Sequence, residues 1–293
     1  MGQDLYERIE TNLRNTKIEV SSLDKEFLIN SIEPSIGIKT HKIEDVAISI
    51  GTSKIGGKPD LPANFQWPLY NNEPLAFCAQ FNCQELISFD QKSLLSSNGM
   101  LYVFIYIDTT WPGFISKRES FKIIYLEHNQ NLIRTSFPVG YFVGGIFDPA
   151  RINFFQYFTL PYDENFKIAD IKKRNTNFFG SYDKMREIID KETEQLTDNY
   201  HQLLGEDRSV QASVVFNFAE KELNIRTEQD FNSNKELLIE LQKKYVILLQ
   251  LDCNDKNSNL HKYGGSSVIY FGLTAADLKE RKFDKVIMAF QGT

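Results

Sequence analysis

Cysteine, tryptophan and histidine are scarce in this chain, with three, two and four copies among 293 residues. Cys78, Cys83 and Cys253 form no CxxC pair and have no histidine at a zinc-site spacing, which excludes the common structural zinc frameworks, and no metal is expected. So odd and sparse a set also argues against a disulfide-stapled secreted scaffold and predicts reduced thiols in the cytoplasm. No apolar run approaches the roughly 20 residues that span a bilayer. The N-terminal MGQDLYERIETNL lacks the basic start and apolar stretch of a signal peptide, and Tyr6 stands where a myristoylation motif needs Ser or Thr. No membrane anchor is expected. Surplus basic charge is missing too: 33 basic residues against 39 acidic ones give a net charge of −6, which argues against nucleic acid as a partner.

What the chain does have is apolar and aromatic material, 42% hydrophobic and 13% aromatic with 23 Phe and 13 Tyr. That is enough to build a core at this length, and rings in such number must be stacked or sheltered. Leu5, Ile9 and Leu13 recur four apart, which predicts an N-terminal helix, and a second short helix is expected over 21–32, ended by Pro34. Period-two alternation at Ile36 and Ile38, then at Val46, Ile48 and Ile50, predicts half-buried strands. Further strands are expected over 75–81, 100–107, 121–126, 140–147 and 152–160. A charged helical stretch over 161–202 carries Tyr182, Met185, Ile188 and Ile189, and a strand over 210–218 and a helix over 234–244 follow. The tail returns to strands over 245–251, 268–273 and 286–290.

The two β-rich parts repeat each other. PLAFCAQFN (74–82), NGMLYVFIY (98–106) and FKIIYL (121–126) match in order and approximate spacing YVILLQLDC (245–253), GGSSVIYFGL (264–273) and FDKVIM (283–288). Gln80 and Gln250 each interrupt an apolar strand, and a buried amide needs a partner. The expected architecture is therefore α+β and mainly antiparallel: two related β-rich repeats packed together, with an N-terminal helix and connecting helices. Its expected divisions are a helical segment 1–45, a first repeat 46–160, and a helical connection with a second repeat over 161–293.

Residues 53–68, SKIGGKPDLPANFQWP, combine Gly56 and Gly57, which permit positive φ, with Pro59, Pro62 and Pro68, which fix it. A stiff surface loop rather than a regular strand or helix is expected. On it, Phe65 and Trp67 either cap the β core or line a groove for an extended peptide. This segment, with PLAFCAQFN and NGMLYVF, resembles the YwqG-like family of bacterial proteins of unknown function. The second half agrees through HQLLGEDRSVQ (201–211), YVILLQLD (245–252) and GGSSVIYF (264–271). Two departures stand out: where that family commonly continues with Tyr-Pro, this chain has Glu206 and Asp207, and its second glycine turn is preceded by the run from His261 to Gly264. More remotely, the Lys-x-Gly-Gly-x-Pro segment and the Gln strand are similar to the programmed cell death protein 2 family, implicated in ribosome assembly. That resemblance implies a β-rich module that holds an extended polypeptide, or an RNA-processing role, and it does not imply catalysis.

The catalytic inventory is thin. His41, His128, His201 and His261 show no HxxxH or HExxH spacing, and no phosphate-binding glycine loop or nucleophile elbow is present. DCNDKNSN (252–259) offers oxygen ligands, but Leu260 and Ser266 stand where a calcium loop needs Gly and Glu, so a polar hairpin loop is expected. No cofactor and no catalytic residue is assigned. The expected function is non-catalytic binding of a protein or peptide segment in a cleft between the repeats. Gly56, Gly57, Pro59, Phe65, Trp67 and Gln80 form one wall of it, and His201, Gln211 and Gln250 the other. The alternatives are an RNA-processing role and an enzyme in which His201 meets Cys78 or an acid.

Overall fold

In the computed structural model, residues 2–108, 113–114, 117–128, 130–162, 165–175, 177–193 and 199–292 are described. Ten strands form one antiparallel sheet: β1 (Glu33–Lys42), β2 (Lys54–Ile55), β3 (Ala76–Asn82), β4 (Met100–Ile105), β5 (Phe121–Leu126), β6 (Ala150–Thr159), β7 (His201–Leu203), β8 (Tyr245–Asp252), β9 (Ser267–Thr274) and β10 (Ile287–Gly292). Their order is β5-β4-β3-β2-β6-β1-β7-β8-β9-β10. From the central pair β6 and β1, four strands run outward on each side in chain order. The sheet curls into a nearly closed, barrel-like arrangement. Across the remaining gap Phe121 of β5 meets Phe271 of β9 (ring centroids 5.7 Å), and Tyr125 meets Phe283 at the same separation.

Alternation decides which side chains enter the curl. Leu101, Val103 and Ile105 of β4 face inward with Leu249 and Leu251 of β8 and Ile269, Phe271 and Leu273 of β9, giving one apolar core shared by both halves. Full burial of each such side chain is worth about 1.5–3 kcal/mol. The outward-facing residues are covered differently in the two halves. Met100, Tyr102 and Phe104 lie beneath loop residues Phe65 and Trp67. Val268 and Tyr270 lie beneath two helices, α4 (Val214–Glu222) and α5 (Glu228–Gln242), through Val214, Phe218 and Leu238.

At the N-terminus α1 (Gly2–Asn15) buries Ile9 and Leu13, as its spacing predicts, and α2 (Ser22–Asn30) follows. The cap of α2 is Ser21, whose hydroxyl accepts the Asp24 N–H (3.0 Å). Both pack with α3 (Phe178–Glu192) through Phe178, Tyr182, Met185 and Ile189 onto Tyr157 and Phe158 of β6.

Several expected strands are otherwise. The 210–218 run is helix α4: Ser213 caps Val214–Glu222, and Val214, Val215, Phe218 and Ala219 fall on one helical face, so packing overrides β-branched propensity. Residues 140–147 contain only a 3-10 turn at Val143–Gly145. Val46 and Ile50 are exposed around a 3-10 turn at Asp45–Ala47, and only Ile48 of that trio is buried. Helix α5 starts before the expected 234, because Thr227 and Asp230 form a capping box. The glycine-proline segment does contain strand, β2 and the Asp60–Leu61 pair that bridges Ile133–Arg134, and most of residues 53–61 are buried rather than on the surface.

Candidate functional site

The two glutamines organise two equivalent turns. Gln80 of β3 lies between Lys54 of β2 and Tyr102 of β4, and Gln250 of β8 lies between Gln202 of β7 and Tyr270 of β9. Gln80 Oε1 accepts the Asp60 N–H (2.9 Å) and its Nε2 donates to Thr52 O (2.8 Å), while the Tyr102 hydroxyl donates to Asp60 O (2.6 Å). In the second half Gln250 Oε1 accepts the Arg208 N–H (3.0 Å), its Nε2 donates to Tyr200 O (2.7 Å), and the Tyr270 hydroxyl donates to Arg208 O (2.7 Å). Each glutamine therefore clamps the residues on either side of a left-handed turn, Gly56-Gly57 in one half and Leu204-Gly205 in the other.

The correspondence extends further. Asn82 N–H donates to Ser53 Oγ (2.8 Å) where Asp252 N–H donates to His201 Nδ1 (3.0 Å). Lys54 Nζ bonds Lys58 O where Gln202 Nε2 bonds Glu206 O (2.7 Å). Both strand pairs carry an irregularity at the same place, between Phe77 and Ala79 and between Ile247 and Leu249. Glu206 and Asp207 thus occupy the positions of Lys58 and Pro59.

The nine residues expected at a cleft separate into groups. Gly56, Gly57 and Pro59 are buried in the first turn, where Pro59 O accepts the Thr135 N–H (2.8 Å). Phe65 stacks on Phe104, and Trp67 meets Phe104, Phe137 and Tyr141 edge-on while its indole N–H donates to Leu75 O (2.9 Å). Gln211 is exposed, with its backbone N–H on Gln291 Oε1 (3.1 Å). Gln80 and Gln250 stand on β3 and β8, five strand steps apart in the ten-stranded sheet.

His201 is fully buried. With Nδ1 accepting from Asp252, its Nε2 faces Asp255 Oδ2 at 3.3 Å without hydrogen-bond alignment, and both side chains are shut off from solvent. Burial pushes the Asp255 carboxyl up, but His201, the Ser258 hydroxyl (2.6 Å) and the Asn257 N–H (2.9 Å) outweigh it and hold the group at about 2. Asp255 also accepts the Thr40 hydroxyl (3.1 Å), so the polar 252–259 loop is pinned to β1 from within. Burial pushes the Cys78 thiol well up and the Cys83 thiol to about 11, so neither is a thiolate near neutral pH. Among the described residues no three His, Cys, Asp or Glu side chains are placed to hold a metal ion.

Two concave places lie against these elements. A groove of about 230 Å³ on the first half is lined by Pro74, Ala76, Tyr106, Ile107, Tyr141 and Phe142. Its rings are held from behind: the Tyr141 hydroxyl accepts the Phe77 N–H (2.9 Å), the Tyr106 hydroxyl donates to Glu73 (2.9 Å), and Tyr70 packs on Tyr106 at 4.8 Å. A cleft of about 180 Å³ lies under the second turn, where Glu206, Asp207, Lys167, Phe166 and Val246 converge. Sequence reasoning missed Tyr106, Tyr141 and Phe142, which lie on a strand end and in a loop with no periodic pattern, and met Glu206 and Asp207 only as departures from a resemblance.

No curated protein matches the sequence. The family described as a domain of unknown function, DUF1963, matches residues 53–292. The match starts one residue before β2 and ends with β10, so it takes in both clamped turns and every strand of the large sheet except β1. The chain belongs to the DUF1963 family.

Proposed function

We propose that this protein is a non-catalytic module that binds an extended, apolar polypeptide segment in the tyrosine-lined groove of its first half. The observation that carries the reading is the solvent-facing cluster at the groove mouth. Val139, Phe142 and Val143 are 102%, 42% and 76% exposed and fall within five consecutive residues, beside rings locked by hydrogen bonds. Apolar groups kept in water next to a rigid aromatic trough suit a ligand with little structure of its own, because the receptor needs little ordering on binding. In this reading Trp67 acts behind the groove by buttressing Tyr141, and the glycine-proline segment is the frame rather than the contact surface. The likeness to the YwqG-like and programmed cell death protein 2 families, the latter implying a grip on extended polypeptide, supports it. So do three buried, unpaired cysteines for a reducing, cytoplasmic setting. The net charge of −6 offers no support for the RNA alternative.

The test is selection of peptides from a displayed random library on the immobilised full chain, in parallel with Phe142→Asp. Enrichment of apolar or proline-containing sequences on the wild-type protein, lost on Phe142→Asp and on Tyr106→Ala, is expected. Equal enrichment on all three proteins, or none on the wild type, overturns the reading.

A further inference from the structure

The two clamped turns differ in whether their buried polar groups find partners. In the first, Lys54 Nζ bonds Asp45 Oδ1 (2.8 Å) and Lys58 O, Asp45 Oδ2 accepts the Lys58 N–H (3.0 Å), and Arg134 ties Asp45 to Asp60. Among the described residues the buried side-chain atoms without a hydrogen bond are seven, and five of them belong to His201, Gln202, Asp207, Arg208 and Ser209. Gln202 stands where Lys54 stands, with no charge to offer, and its Oε1 has no partner. Asp207 lines the cleft, is 2% exposed, and its Oδ2 has no partner either. Glu206 beside it is already matched by Lys167 and by Asn165 Nδ2 (3.1 Å).

Burying a carboxyl group costs its desolvation, and the Ser209 hydroxyl beside Asp207 is neutral, so what the second turn lacks is a cationic donor. Of the three carboxylates in the lining, Glu33 is paired with Lys92 and Glu206 with Lys167, which leaves Asp207 alone and the lining short of a metal's ligand set. The cleft has room for about six waters, judged by a water's share of liquid volume, and its walls at Phe166, Val215 and Val246 are apolar. We propose that this cleft binds a primary ammonium group on a short apolar chain, with Asp207 as its counter-charge. The ammonium supplies to the second turn the charge that Lys54 supplies to the first.

The test is titration of the ¹⁵N-labelled full chain, followed by backbone amide shifts, with n-butylamine, n-butanol and butyrate, and separately with acetyl-lysine methylamide. Saturable shifts at Gly205–Ser209 with n-butylamine in the millimolar range are expected, with none from butyrate and affinity for n-butanol weaker by about tenfold or more, as loss of a charge-assisted bond implies. Asp207→Asn should weaken n-butylamine to a similar degree, whereas Lys58→Ala at the exposed corner of the first turn should leave it unchanged. Saturation by acetyl-lysine methylamide as well assigns the cleft to lysine side chains, and saturation by n-butylamine alone assigns it to free amines. Equal affinity for n-butylamine and n-butanol, or no saturation with n-butylamine, overturns the proposal with the unaltered protein alone.

Discussion

The two turns are built on one plan and satisfied in two ways. In the first half a buried base, Lys54, closes the turn from inside with Asp45, Asp60 and Arg134. In the second, neutral Gln202 stands in its place and one oxygen of the Asp207 carboxyl group is left without a hydrogen-bond partner. The shared clamp, a glutamine and a tyrosine on adjacent strands, is thus a structural device, and chemistry that distinguishes the halves lies in what fills the space beneath it. Coverage differs in the same sense: rings on a loop shield one outer face, helices α4 and α5 the other.

The sharpest way to break this comparison is to remove the closing group from each turn. Lys54→Met leaves buried Asp60 and half-buried Asp45 with Arg134 as their one base and should cost about 3–5 kcal/mol. Gln202→Met forfeits two hydrogen bonds but also removes an orphaned oxygen, and should cost only about 1–2 kcal/mol. Urea unfolding of both variants measures the difference, and equal losses would erase the contrast between the turns.

Next in size is the turn backbone. Gly56 has φ 66°, and a Cβ there would sit 2.2 Å from Asp148 O, a backbone atom that cannot swing aside. Leu204 holds almost the same φ, 60°, with its side chain buried in the core. Gly56→Ala should therefore cost about 2–4 kcal/mol although position 204 tolerates leucine. Thermal unfolding that leaves the alanine variant unchanged would show that the first turn is free to open.

The most diagnostic effect for the second half is the pH dependence of two acids with opposite shifts. Burial, then the Glu206 charge, raises Asp207 to about 7. Its unfolded counterpart loses its proton near pH 4, so this group favours the fold when protonated, and its contribution falls as pH rises from about 4 to 7. Asp255, held at about 2, does the reverse: its contribution is full above about pH 4 and is lost as pH falls through 2. Relative to wild type, Asp207→Asn should gain stability between pH 4 and 7 and plateau beyond. Asp255→Asn should lose stability across the neutral range and converge with wild type in acid. Parallel urea titrations over pH 3–8 read both curves, and a flat Asp207→Asn difference would show that the second turn carries no strained acid.

Much of the frame was legible in the residues. The matching strand runs, the polar intrusions at Gln80 and Gln250, and the amphipathic faces of α1 and α3 all follow from local pattern. What the pattern does not contain is the partner of each polar residue: Gln80 bonds across a turn to Asp60 and Gln250 to Arg208, contacts set by the turn's three-dimensional path. The 210–218 run misleads because Val214, Val215, Phe216 and Phe218 favour strand locally, while Ser213 and the apolar surface of β8 and β9 hold it helical. The groove was invisible for a related reason. Tyr106, Tyr141 and Phe142 are brought together by neighbours rather than by any spacing of their own.

The position of β1 has a consequence for how the chain is made. Ile36, Gly37 and Ile38 pair with β6 on one side and with β7 on the other. On the ribosome the first side can close once Thr159 emerges, but the second stays an open strand edge until His201–Leu203 have been synthesised. At roughly 5–20 residues per second that interval lasts several seconds. In it the nascent protein carries an unpaired, apolar edge at the middle of its future sheet, the kind of template that recruits stray strands. Seen from synthesis, the second half is the cover that the first half waits for.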